Sequence, residues 1–202
     1  MNILHIDSSP RGAESHSRKM TAELVAELKE KNKDASVVYR DLGHNPPPFV
    51  REEWTSGAYT PEELRTPAQV DALKYSDAVI SELLAADIVV IGAPMYNFSI
   101  PADLKAWIDQ IIRINKTFLA DYTGLAVGKK VFIVTSRGGG GYGAGEAMEH
   151  LNFQDSYLKT VLGMIGIRDI EFVHLNNTKK GEEAVCESYA DARETIQQLA
   201  AV

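Results

Sequence analysis

The stretches "DIVVIGA" (Asp87–Ala93) and "KVFIVTS" (Lys130–Ser136) decide the fold. Both are short runs rich in Val and Ile that are apolar on both faces, as strands of a parallel sheet are when helices cover each side. Runs of the same kind at 2–7, 36–41 and 169–175 bring the predicted strands to five. The segments between them carry helical period instead. Met20, Leu24 and Leu28 share one helix face, as do Leu104, Trp107, Ile108, Ile111 and Ile112, and later Val185, Tyr189, Ala192, Ile196 and Leu199. Strand and helix periods in alternation predict a three-layer α/β sandwich around a five-stranded sheet.

The chain has 202 residues, of which 45% are hydrophobic and 24% charged. This length suits one domain spanning residues 1–202, able to bury roughly 70% of its unfolded surface. A net charge of -7 disfavours nucleic acid or an anionic membrane as the main partner, because both need a concentrated basic face, and leaves room for a local basic pocket. Cys186 is the sole cysteine, so no internal disulfide forms. The N-terminus has no basic, apolar and small-residue leader pattern, and no apolar run is long enough to span a bilayer. The expected location is the cytoplasm. The segment "GHNPPPFVREEWTSGAYTPEELRTP" (Gly43–Pro67) is too rich in Pro and aromatics for a tether and is predicted to be an ordered lid.

In open parallel sheets ligands sit beyond the carboxyl ends of the strands, where strand order reverses. The first such end is "ILHIDSSPRGAESHS" (Ile3–Ser17), a strand that stops in hydroxyl side chains before a helix. Ser9, Ser15 and Ser17, free backbone N–H groups and a helix N-terminus together suit a phosphate monoester, with His16 in reach and Arg11 adding charge. A helix cap at Ser15 or Ser17 is the plainer use of such a serine. The third strand runs into "GAPMYNFSIPADLKAW" (Gly92–Trp107). There Met95, Tyr96, Asn97 and Phe98 offer apolar contact and a side-chain amide to a flat heterocycle, or else plug the end of the sheet. The fourth strand enters "TSRGGGGYGAG" (Thr135–Gly145), which contains G-x-G-x-x-G at Gly138, Gly140 and Gly143. That fingerprint belongs after a first strand, with an acid ending the next, so a dinucleotide site is rejected here. Close backbone approach is the better use: Gly138 and Gly139 leave N–H groups free for a ring carbonyl that gains electrons on reduction, with Arg137 supporting the charge. From Gly140 onward the run reads as a mobile surface loop.

"SSPRGAESHS", "PMYNF" and, some forty residues later, "SRGG" together resemble the FMN-dependent NADH azoreductases, a branch of the flavodoxin-like NAD(P)H quinone reductases. The resemblance covers essentially the full chain. It implies a sheet of order 2-1-3-4-5, non-covalent FMN, NADH as electron donor, and a homodimer with active sites at the subunit interface. Carried over by position, the FMN contacts are Ser9, Ser15, His16 and Ser17 at the phosphate end, Met95, Tyr96, Asn97 and Phe98 in one ring loop, and Ser136, Arg137, Gly138 and Gly139 in the other. Asn97 and Gly139 then lie near the reactive ring, and Phe118 and Tyr122 line the substrate pocket. The segment "KTFLADYTGLAVGKK" looks shorter than its counterpart in some members, and the glycine run looks richer.

The implied chemistry is transfer of two electrons from NADH to quinones or aromatic azo compounds, with donor and acceptor taking turns on one face. The cofactor carries that chemistry, so no catalytic dyad is required. Three rivals share parts of the pattern. A flavodoxin-type electron carrier has no need of the Gly43–Pro67 segment. A Rossmann dehydrogenase binds NAD without flavin. A hydrolase using His5 or His16 lacks a G-x-S-x-G elbow and clustered metal ligands, and no metal is expected.

Overall fold

A computed structural model describes residues 1–199. Five parallel strands, β1 (Asn2–Asp7), β2 (Ser36–Asp41), β3 (Ile88–Pro94), β4 (Lys130–Ser136) and β5 (Asp169–Leu175), form one sheet of order β2-β1-β3-β4-β5. The order is the one the resemblance implied. β3 alone differs from its predicted bounds, starting one residue later and ending at Pro94 beside Ser136.

Strict alternation in the central strands sends successive side chains to opposite cores. Ile3, Val90, Phe132 and Val134 pack with Met20 and Leu24 of α1 (His16–Lys31) and with Ala192 and Ile196 of α6 (Glu182–Leu199). Their neighbours Leu4, Ile6, Val89, Ile91, Val131 and Ile133 face the other way. That second core holds Val79 and Leu83 of α3 (Pro67–Ala85), Leu104, Trp107 and Ile111 of α4 (Ala102–Ile111), and Leu158 and Leu162 of α5 (Phe153–Met164). The apolar faces read from the sequence for α1, α4 and α6 are therefore the ones that cover the sheet.

The Gly43–Pro67 segment is ordered, but it is less irregular than its Pro content suggested. It contains α2 (Glu52–Tyr59), whose Trp54, Gly57 and Ala58 form a buried i, i+3, i+4 stripe, with Trp54 and Ala58 packed against Leu73 of α3. Trp54 Nε1 donates to Gln110 Oε1 at 2.7 Å, and Gln110 Nε2 donates to the Pro48 carbonyl at 2.7 Å. These bonds fasten the segment to α4, and the packing on Leu73 fastens it to α3. Among the described residues, no helix is long and apolar enough to cross a membrane.

Candidate functional site

The carboxyl ends of β1, β3, β4 and β5 enclose a cavity of about 360 Å³ lined by Ser9, Arg11, Ser15, His16, Pro94, Met95, Tyr96, Ser136, Gly138, Thr178 and Lys179. Small-molecule sites span roughly 300–1,000 Å³, so the volume suits a cofactor. Ser9, Ser15, His16, Met95, Tyr96, Ser136 and Gly138 come together here as the sequence placed them. Thr178 and Lys179 were missed, although "NNTKK" follows β5 and the rule that pointed to the other strand ends points there as well. No residue of the Gly43–Pro67 segment lines this cavity.

In the β1 loop, capping and ligand-facing roles coincide. Ser15 is the N-cap of α1: its Oγ accepts the Arg18 N–H at 3.3 Å, yet Ser15 also lines the cavity. Ser17, expected beside it at the phosphate end, is instead fully buried behind Ser15 and does not line the cavity, with the two Oγ atoms 3.1 Å apart. The His16 ring lies 3.0 Å from the Tyr189 hydroxyl through Nδ1. Burial, and then the charges of Arg11 and Lys19, hold His16 below its ordinary pKa, so its imidazole is neutral near pH 7.

Two further loops present amide groups. Tyr96 and Ser99 exchange backbone bonds, Tyr96 N to Ser99 O at 3.0 Å and Ser99 N to Tyr96 O at 3.1 Å. The residues between them, Asn97 and Phe98, have φ of 50° and 69°. This is a two-residue hairpin turn of type I′ with phenylalanine where glycine is usual, and strained backbone of that kind concentrates at ligand clamps. In the β4 loop, the carbonyls of Arg137, Gly138 and Gly139 accept from Thr178 N, Lys179 N and Asn177 N at 3.0, 3.2 and 2.9 Å. With all three carbonyls tied to the β5 loop, the Gly138 and Gly139 N–H groups have no protein acceptor among the described residues. An electron-rich oxygen is what such paired donors suit.

Known proteins with this arrangement are close at hand. A family model described as a flavodoxin-like fold matches residues 1–200. The chain belongs to that flavodoxin-like family. It is 46% identical over 204 residues to an FMN-dependent NADH:quinone oxidoreductase of Nostoc punctiforme, covering 100% of this chain and 98% of that protein. An FMN-dependent NADH:quinone oxidoreductase of Azospirillum brasilense is 43% identical over 99% of this chain and 98% of its own length. Among solved structures, an azoreductase of Bacillus anthracis superposes with a TM-score of 0.88 at 25% identity, over 99% of this chain and 98% of the other.

Other residues expected at the site of this flavodoxin-like protein lie elsewhere. Arg137 is 2% exposed, and its Nη2 bonds Asp155 Oδ1 at 2.6 Å while its Nε bonds Gln154 Oε1 at 3.2 Å. Its guanidinium also lies 5.5 Å from the Tyr142 ring centroid. The β4 backbone aims this side chain at α5, so it braces the loop rather than lining the cavity. Asp155 and Tyr142 belong to a neighbouring open cleft of about 720 Å³, which also holds His174 and Lys159. Burial, followed by the charge of Arg137, keeps His174 below its ordinary pKa. Asn97, Phe98 and Gly139 sit beside the serine-lined cavity without lining it. Phe118 and Tyr122 stack on each other, centroids 6.2 Å apart at 16°, in the loop after α4 and likewise outside the cavity. The distal glycine loop is tied to itself: Gly143 N and Gly145 N donate to Glu146 and Glu149 carboxylates, and Met148 N donates to the Gly141 carbonyl.

Proposed function

We propose that this protein binds FMN non-covalently in the four-loop cavity and passes two electrons at a time from NADH to quinones and aromatic azo compounds. The observation that carries this reading is the cavity that has both the serine loop and Gly138 in its lining, with the N–H groups of Gly138 and of its neighbour Gly139 unengaged among the described residues. One end of the cavity suits a phosphate and the other suits the electron-accepting edge of a flat ring. The names of the relatives in Nostoc and Azospirillum point the same way.

FMN, when bound, supplies the two-electron hydride chemistry. Each loop of the chain then has a distinct task. The α1 N-terminus, with Ser9 and Ser15, holds the phosphate through N–H and O–H donors and the helix dipole. Met95 and Tyr96 supply apolar contact to the ring, and the Asn97–Phe98 turn shapes its rim. Gly138 and Gly139 N–H groups, held rigid by the β5 loop, stabilise negative charge that develops at the ring's carbonyl edge. His16 adds a hydrogen-bonding ring at the phosphate end of the cavity.

The open face of such a site has room for one flat partner at a time. NADH therefore binds, gives up its hydride and leaves as NAD+ before the acceptor enters, which makes the kinetics ping-pong. An azo bond consumes two such rounds and is cleaved to two amines. We further propose a homodimer, in which a second copy covers the apolar rim at Phe98, Phe118 and Tyr122. The deciding experiment starts from the absorbance spectrum of the purified protein, followed by anaerobic NADH addition and initial rates at several acceptor concentrations. A flavin spectrum, bleaching by NADH alone and parallel double-reciprocal lines are expected. A colourless protein that gains no flavin on reconstitution overturns the assignment, flavin without bleaching is the behaviour of an electron carrier, and intersecting lines overturn the ping-pong order alone.

A further inference from the structure

The Ser9–Pro10 peptide unit is an awkward part of a phosphate loop. Proline has no N–H, so this unit offers only an acceptor, and a carbonyl oxygen turned toward a phosphate repels it. In the structure the Ser9 carbonyl is taken up from outside the cavity. Arg18 Nε and Nη2 both donate to it, at 2.8 and 2.6 Å. The same guanidinium pairs with Asp41 through Nη1 at 2.9 Å and through Nη2, and Nη1 also donates to the Tyr39 hydroxyl at 3.0 Å. Tyr39 in turn donates to Asp7 at 3.1 Å. Gly43 closes the other side, where an added Cβ would overlap the Ser9 carbonyl itself.

We propose that Arg18 is a positioning residue for cofactor phosphate recognition. It holds the Ser9 carbonyl away from the anion and so leaves Ser9 Oγ and the α1 N-terminus facing inward. Arg18 is not part of the cavity lining. Its charge is committed to Asp41, with Asp7 at 3.9 Å, so it acts through geometry rather than as a free cation. A planar fork able to grip a carbonyl and a carboxylate together is a property of arginine that lysine lacks. The proposal rests on the reading of the serine cavity as the FMN phosphate site.

The test is fluorescence titration of the apoprotein with FMN and with riboflavin, which lacks the phosphate. The wild type binds FMN more tightly. Arg18→Met should raise the FMN Kd about tenfold or more, because preorganisation of the loop is lost, and shift riboflavin by less than about threefold. Arg18→Lys, with charge but no fork, should fall between. Asp41→Asn separates position from charge: a loosened guanidinium weakens FMN if Arg18 positions the loop, and a freed cation tightens it if Arg18 acts as a charge. Loss of FMN preference in Arg18→Met, with weaker FMN in Asp41→Asn, supports the proposal. Preference retained in Arg18→Met overturns it. Should Arg18→Met bind neither flavin, Asp41→Asn decides, and retained or increased FMN preference there overturns the proposal. A wild type with no preference for FMN removes the phosphate reading, and this proposal with it.

Discussion

Ser15→Ala separates the capping duty seen at this hydroxyl from the phosphate-binding duty proposed for it. As N-cap, Ser15 Oγ satisfies the Arg18 N–H, and loss of such a cap costs about 1 kcal/mol, within a range of roughly 0.5–2. For a chain of this size that is about 2–4 °C in Tm. As a phosphate ligand the same hydroxyl makes a hydrogen bond to a charged group, worth about 1.5–3 kcal/mol, or roughly a 10- to 150-fold rise in the FMN Kd. Riboflavin escapes the second effect and feels only the first. The assays are thermal melting of the apoprotein and paired flavin titrations. A Tm drop with unchanged FMN affinity would leave Ser15 a cap and nothing more, and would refute the phosphate assignment. An FMN loss without a Tm drop would refute the capping argument instead. Ser17→Ala is the internal control, since Ser17 is fully buried and, among the described residues, its hydroxyl meets only that of Ser15; FMN should weaken less there than in Ser15→Ala.

Three other perturbations follow from the geometry. Phe98→Gly removes a left-handed phenylalanine costing about 1–2 kcal/mol and adds a glycine entropy penalty of about 0.5–1 kcal/mol. Urea unfolding should show equal or slightly higher stability while FMN affinity falls, and a clear loss of stability contradicts the strain assignment at φ 69°. Arg137→Met takes the cation from Asp155, which keeps the Asn152 Nδ2 donor at 2.8 Å and 16% side-chain exposure, so the cost should be no more than about 3 kcal/mol, the low end for a broken buried pair. It should lower Tm far more than it changes FMN preference over riboflavin, and a selective FMN loss would return the guanidinium to the cavity. Burial pushes Asp41 upward, but hydrogen bonds from Arg18 and His44 outweigh it and hold its pKa at about 2, against an ordinary 3.8. A depressed carboxylate stabilises the fold above its unfolded pKa, and that contribution fades as pH falls from 3.8 toward 2. Unfolding titrations across this window should give a steeper acid loss in wild type than in Asp41→Asn, and equal slopes would show that Asp41 contributes nothing there.

What the sequence determined by itself is the part of the molecule written in local periods. Alternating and 3.6-residue apolar patterns locate five strands and the sheet-facing sides of α1, α4 and α6, because burial acts on neighbours a few residues apart. The three loops after β1, β3 and β4 were equally legible, since hydroxyls, aromatics and glycines gathered at strand ends have few structural uses. The tertiary structure decided what those loops can do. "SRGG" does not disclose that its carbonyls are claimed by residues some forty positions later, which is what leaves Gly138 and Gly139 N–H groups available. "YNFS" carries no glycine to announce a type I′ turn, and the left-handed backbone of Asn97 and Phe98 is visible only once Tyr96 and Ser99 are seen to pair across it. Arg137 read as a cation supporting charge at the site, and Arg18 carried no sequence signal at all, yet each is spent on a carboxylate from another element, Asp155 on α5 and Asp41 at the end of β2. A charge or a backbone amide becomes functional when its partners are removed or supplied, and those partners are set by packing between distant segments, which no local pattern records.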